Sequence, residues 1–232
     1  MARLARVVAT GIPHHITQRG NDRGVVLDED SGRLVYLALL EECRALHELL
    51  GICLTSNHVH LIALPRRPDS LALALRDLHG RYAVYLNARR NTTGHLWQGR
   101  FYSCPLDDAH LWTALRYVEL NPVRARMVAS SEEYLWSSAA AHCQGDDARR
   151  LLDLDLWRRS WRPADWRAFL ASGVSPQEAQ RIRAHTHSGR PLGSPEFVHE
   201  IERQLNRTLA PQKGGRPRKL LVDPAQQPLD FG

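Results

Sequence analysis

Apolar positions along this chain change rhythm several times, and each change marks an element. Residues 6–20 read as extended, broken by Gly11 and Pro13 and resumed by His14, His15, Ile16, Thr17 and Gln18; Gly20, Asn21 and Asp22 then form a turn. Residues 30–49 place Leu34, Leu37, Leu40, Leu46 and Leu50 near helical spacing behind a cap at Asp30 or Ser31. Two short strands follow, over 52–55 and 58–64, with Ser56 and Asn57 as a tight hairpin connection and Pro65 and Pro68 as the stop. Ser70 caps a second helix over 70–91, whose buried stripe is Leu71, Leu75, Leu78, Tyr82 and Tyr85. After the Asn91–Gly94 loop comes an extended stretch at 100–105. A third helix over 107–120 is opened by Asp107 or Asp108 and closed before Pro122.

Strand, helix, strand, strand, helix, strand and a further helix is the split βαβ order. It predicts an α+β fold: a ferredoxin-like antiparallel sheet with helices on one face, followed by a helical C-terminal segment. The expected division is 1–130 for the sheet domain, 131–208 for a helical accessory segment and 209–232 for a basic, disordered tail rich in Pro, Gly and polar residues. Trp112, Trp136, Trp157, Trp161 and Trp166 crowd the junction, three short helices follow, and another spans 195–207. There is no internal repeat.

Composition narrows the function classes. The 232 residues carry a net charge of +6, and only Lys213 and Lys219 of the 31 cationic residues are lysines. Guanidinium forks match phosphate oxygens and stack on bases, so a polyanionic partner fits, although a modest positive charge is also an ordinary solvated surface. No apolar run approaches the roughly 20 residues of a membrane span, and the N-terminus lacks a continuous apolar core; a cytoplasmic protein with no signal peptide is expected. Cys43, Cys53, Cys104 and Cys143 are far apart and form no CxxC, so they read as buried reduced thiols.

Two stretches carry candidate chemistry. In a strand, His58 and His60 of Asn57-His58-Val59-His60-Leu61 project side by side while Val59 faces away. Two imidazoles so placed can hold one divalent ion, or are simply two exposed hairpin histidines. Tyr117 and Asn121, four apart in Tyr117-Val118-Glu119-Leu120-Asn121-Pro122, share a face of a helix. A tyrosine can attack phosphorus when activated, and an amide oxygen suits a hard metal. Read alone, Tyr117 is better taken as a core aromatic and Asn121 as a helix C-terminal residue before proline. Tyr82, Tyr85 and Tyr102 are rival nucleophiles, the first two better placed in a core stripe.

Taken in order, five motifs resemble the single-tyrosine HUH (IS200-like) transposases and, within them, the REP-associated tyrosine transposases. They are Gly11-Ile12-Pro13-His14-His15-Ile16-Thr17-Gln18-Arg19-Gly20-Asn21, Asn57-His58-Val59-His60-Leu61, Leu96-Trp97-Gln98-Gly99-Arg100-Phe101, Tyr117 through Ala125, and Trp136-Ser137-Ser138. The resemblance covers roughly residues 5–140, and Gly189 to Lys219 more weakly. It implies a nuclease that binds single-stranded hairpin DNA. His58 and His60, with Asn121 as third ligand, would hold Mg²⁺ or Mn²⁺, and Tyr117 would form a 5′-phosphotyrosine link while freeing a 3′-hydroxyl. It also implies a monomer, with a dimer as the alternative.

Arg19, Arg23, Arg100, Arg116, Arg124 and Arg126 flank the motifs and are expected phosphate contacts, and Tyr102 beside Arg100 is expected to touch DNA. His14 and Gln18 share one face of the first strand. Trp97 is either a base-stacking platform or a buried residue. Gly214-Gly215-Arg216-Pro217-Arg218-Lys219 has the form of an AT-hook core, with Arg216 and Arg218 entering a minor groove, or of a solvated basic tail. The competing class is a catalytically silent nucleic-acid-binding regulator on the same fold. A replication initiator is disfavoured, since no second tyrosine lies three or four residues from Tyr117 on its helix and no helicase motif follows.

Overall fold

The computed structural model describes residues 6–27, 29–44 and 47–209. Four strands, β1 (His14–Arg19), β2 (His47–Leu54), β3 (His58–Pro65) and β4 (Tyr102–Pro105), form one antiparallel sheet in the order β2-β3-β1-β4. The helix α1 (Asp30–Glu42) joins β1 to β2, and α2 (Ser70–Arg90) joins β3 to β4. This is the ferredoxin-like connectivity expected from the sequence.

Alternation of side chains gives the sheet two different faces. One face meets the paired helices α1 and α2: Ile16, Val59, Leu61 and Ala63 pack with Tyr36, Leu40, Leu71, Leu78 and Tyr82. The other face meets α3 (Asp108–Glu119), whose Leu111, Ala114, Leu115 and Val118 bury Leu50, Cys53, Ile62 and Cys104. Asp107 caps α3 by accepting from the His110 backbone N–H at 2.9 Å. Gly51 sets how close α3 comes, because a Cβ there would lie 2.2 Å from Leu115 Cδ1.

Two boundaries differ from the sequence expectation. The first helix stops at Glu42 instead of running to 49, and Leu50 belongs to β2. A register irregularity between Leu49 and Gly51 puts Leu49 and Ile52 on the same face three residues apart, a spacing that imitates a helix. The opening strand begins only at His14; before it, Gly11 turns the chain with φ +73°, and Val7 and Ala9 pack with Ile201 of the last helix.

Beyond α3 lie α4 (Asn121–Arg124), α5 (Ala139–Gln144), α6 (Asp155–Ser160), α7 (Pro163–Ala171), α8 (Pro176–Ser188) and α9 (Pro195–Leu205). Trp157, Trp166, Leu170 and Ile182 of these helices join the α3-side core, so the accessory segment shares the sheet's core instead of building its own. A reciprocal capping box between Ser175 and Glu178 starts α8. The four cysteines are buried free thiols. Among the described residues no helix is long and apolar enough to cross a membrane. The tail expected over 209–232, with Arg216 and Arg218, lies outside the described residues save for Leu209.

Candidate active site

The hairpin joining β2 to β3 presents the two histidines. Thr55 N–H bonds the His58 carbonyl at 3.0 Å, closing the Ser56-Asn57 turn. Past the turn, His58 and His60 face α3, whereas Val59 is buried beneath α1 and α2. The two rings lie 4.9 Å apart between centroids, nearly perpendicular at 85°. His58 Nδ1 sits 2.8 Å from Thr55 Oγ1 and 2.7 Å from Asn57 Oδ1. The Thr55 hydroxyl proton is committed to the His58 carbonyl at 2.8 Å. Both neighbours of Nδ1 are therefore acceptors, so Nδ1 carries the proton and Nε2 the lone pair.

His60 is tied differently. Its Nδ1 lies 2.9 Å from Nε2 of His15, the ring beside it on β1. Burial lowers the His58 pKa to about 4, helped by the nearby Arg19 and Arg124 guanidiniums. Burial, then His58 and His15, then the same arginines, hold His60 well below its ordinary range. Both rings are thus neutral at physiological pH, the form that coordinates metals.

The end of α3 brings the tyrosine to the histidines. The Tyr117 ring stands edge-on to His60 at 5.8 Å and to His15 at 6.0 Å. Asn121 points Nδ2 at His58 Nε2 from 3.5 Å; exchanging the amide oxygen and nitrogen keeps its shape and turns Oδ1 to the same place. The two do not lie on one continuous helix. Glu119 is the last residue of α3, Leu120 caps it and Asn121 opens α4. Pro122 has no N–H to extend the ladder. The Arg124 guanidinium bonds the Tyr117 carbonyl at 2.8 Å and lies over its ring, 4.1 Å from the centroid.

Other candidates separate. Arg19 pairs in register with His58 and is exposed; Arg23 and Arg100 are also exposed. Tyr102 lies on the histidine face of β4, against the His187 ring at 4.3 Å. Arg116 is not a DNA contact. It is buried, bonding Glu178 and Ser172 at 2.7 Å each and lying over Phe169, so it fastens α3 to the accessory helices. Trp97 donates to the His79 carbonyl at 2.9 Å and packs on the His79 ring. His14 and Gln18 point away from the site, to Ile12 and Gly99 carbonyls.

Two residues were missed in the sequence. His15, not His14, shares the His60 face, as the pairing of His15 with Ile62 and of Thr17 with His60 requires. Alternation along β1 separates His14 from His15, but only the register with β3 says which of the two faces the site. Glu119 is wholly buried, accepting from Ser138 Oγ at 2.6 Å, His142 Nδ1 at 2.5 Å and Trp166 Nε1 at 2.9 Å. Among the described residues no three His, Cys, Asp or Glu side chains gather as a metal site. The donors on hand are two imidazoles and one amide.

Residues 9–121 match the family model described as transposase IS200 like. That stretch is an IS200-like transposase domain. It holds the whole sheet and α3, and its last matched residue is Asn121. A solved structure of a REP-associated tyrosine transposase bound to a REP hairpin shares the fold, with a TM-score of 0.53 and 18% identity over 67% of this chain and 90% of that one. A candidate transposase from Deinococcus radiodurans aligns at 16% identity and a TM-score of 0.35, over 51% of this chain and 96% of its own. No curated protein matches the chain.

Proposed function

We propose that this protein cuts and rejoins single-stranded hairpin DNA by transesterification through Tyr117. The observation that carries the reading is the convergence of Tyr117, from α3, on two neutral histidines of β3 that use Nδ1 for protein partners. His58 and His60 Nε2 with Asn121 Oδ1 form a mixed nitrogen–oxygen set that fits Mg²⁺ or Mn²⁺, three protein donors leaving positions for phosphate oxygens and water. When bound, the ion would polarise the scissile phosphate as a Lewis acid.

The chain's own groups do the rest. Tyr117 Oη bonds to phosphorus as the P–O3′ bond breaks; the proton lost by the phenol balances the one gained by the 3′ oxygen. The products are a 5′-phosphotyrosine and a free 3′-hydroxyl, and attack by a 3′-hydroxyl on that linkage reverses the step without ATP. Arg19 and Arg124, beside the histidines, suit the phosphate charge. Strand and helix, both packed against the core, hold the two halves of the site. Hairpin DNA is the substrate suggested by what the REP-associated structure binds. Tyrosine and histidines come from one chain, which supports action as a monomer.

Incubation with Mn²⁺ and a 5′- or 3′-labelled single-stranded hairpin is expected to give a covalent adduct on the 5′ phosphate. Tyr117→Phe is expected to give none. Equal adduct from Tyr117→Phe, or none from the unaltered protein across hairpin substrates, would sink the proposal.

A further inference from the structure

We infer that Thr186, on α8 of the accessory segment, sets the tautomer of the ligand histidine His60 by way of His15; this rests on the metal-site reading above. His15 is wholly buried, and its two ring nitrogens are engaged by Thr186 Oγ1 at 2.7 Å and His60 Nδ1 at 2.9 Å. The His15 and His60 planes differ by 14° with centroids 5.1 Å apart, as expected for two rings meeting edge to edge through that bond.

The proton order along this line follows from its far end. Thr186 has one hydroxyl proton, and we place it on the Ile182 carbonyl one turn back on α8, at 2.8 Å, with Cys104 Sγ also 3.5 Å from the oxygen. Towards His15 the Thr186 oxygen is therefore an acceptor, and His15 Nδ1 must be the donor. A buried imidazole with no carboxylate on either nitrogen is neutral, so His15 Nε2 carries the lone pair. His60 Nδ1 must then donate to it, which leaves the His60 lone pair on Nε2. His58 reaches the same tautomer through Thr55 and Asn57. The two ligands thus get matching tautomers from different sources, His58 from its own hairpin and His60 from a helix outside the matched domain. Without the Thr186 acceptor, His15 is free to carry its proton on Nε2 and donate to His60 Nδ1. That moves the His60 proton to Nε2 and blocks coordination.

Thr186 and His15 are positioning residues, since neither reaches the substrate in this arrangement. The test is a set of three proteins: unaltered, Thr186→Val, which keeps shape but loses the acceptor, and Thr186→Ser, which restores it. Long-range ¹H–¹⁵N spectra of the metal-free proteins should show His60 protonated on Nδ1 in the unaltered and Ser forms, and on Nε2 in the Val form. Mn²⁺ affinity, read by electron paramagnetic resonance, should fall about 10–100-fold in Thr186→Val and recover in Thr186→Ser. His60 protonated on Nε2 in the unaltered protein overturns the inference, as does an unchanged tautomer and affinity in a folded Val form. If Thr186→Val fails to fold, the unaltered and Ser spectra still decide. Should the unaltered protein bind no Mn²⁺ while the tautomers behave as stated, the metal-site reading fails and the relay stands.

Discussion

Two buried polar clusters touch α3, and they solve the same problem in opposite ways. Around Glu119, one carboxylate answers three donors: Ser138 and His142 share one oxygen and Trp166 takes the other, with Trp157 stacked on the imidazole. Around His58 and His60 no carboxylate of the described residues enters the hydrogen-bond network. The charges that bear on both rings are the cations Arg19 and Arg124. A histidine clamped to an acid is a fastener. Histidines kept neutral, oriented through Nδ1 and surrounded by cations are suited to a metal and an anion brought from outside. Both clusters lie within three residues along the end of α3, so the fastener also anchors the helix that carries Tyr117.

The sharpest break of this contrast pairs His58→Ala with Glu119→Ala. The first is expected to end cleavage while stability stays within about 1 kcal/mol, because the ring is only partly buried. The second is expected to cost about 3–5 kcal/mol by leaving its donors without their acceptor in the core. Urea denaturation beside the adduct assay separates them; an equally unstable His58→Ala would make His58 a fastener too. Gly51→Ala should cost about 1–3 kcal/mol by overpacking against Leu115. It should also lower cleavage by moving α3 away from β3, and a crystal structure of the variant would show the shift. The effect of pH is spread over units of pH instead of falling on one substitution. Burial lowers His14 to about 4 and His79 to about 3 from 6.5. Above about pH 6.5 both folded and unfolded forms are neutral and stability is level. Below it the unfolded chain takes up protons that the folded form refuses, so stability falls by up to about 1.4 kcal/mol per pH unit for each ring down to the folded values. Melting curves from pH 7.5 to 5 measure the slope, and a flat profile would contradict it.

The sheet order and the side-by-side placement of His58 and His60 were legible because they rest on local rules. Val59 alternates against His58 and His60, a two-residue turn fixes the hairpin, and Asp107 marks the start of α3. What could not be read depends on distant partners. Arg116 looks like any other arginine near the motif until Glu178 and Ser172 arrive from α7's end and α8. His15 and His14 are indistinguishable until the register with β3 is known. The β2 irregularity at Leu49 and Gly51 made a strand look helical, for a reason that only pairing reveals. The accessory segment gave no sign of entering the site, because its contribution is one hydroxyl.

The bond between His15 and Thr186 spans 171 positions of sequence. Chains are made from the N-terminus forward, and domains fold as they emerge. The histidine hairpin and Tyr117 therefore leave the ribosome before α8 does, and wait for it to complete the core they share. If the order of protons in His60 depends on Thr186, the growing chain carries Tyr117 and the two histidines yet has its proposed ligand set unfinished until α8 has been made.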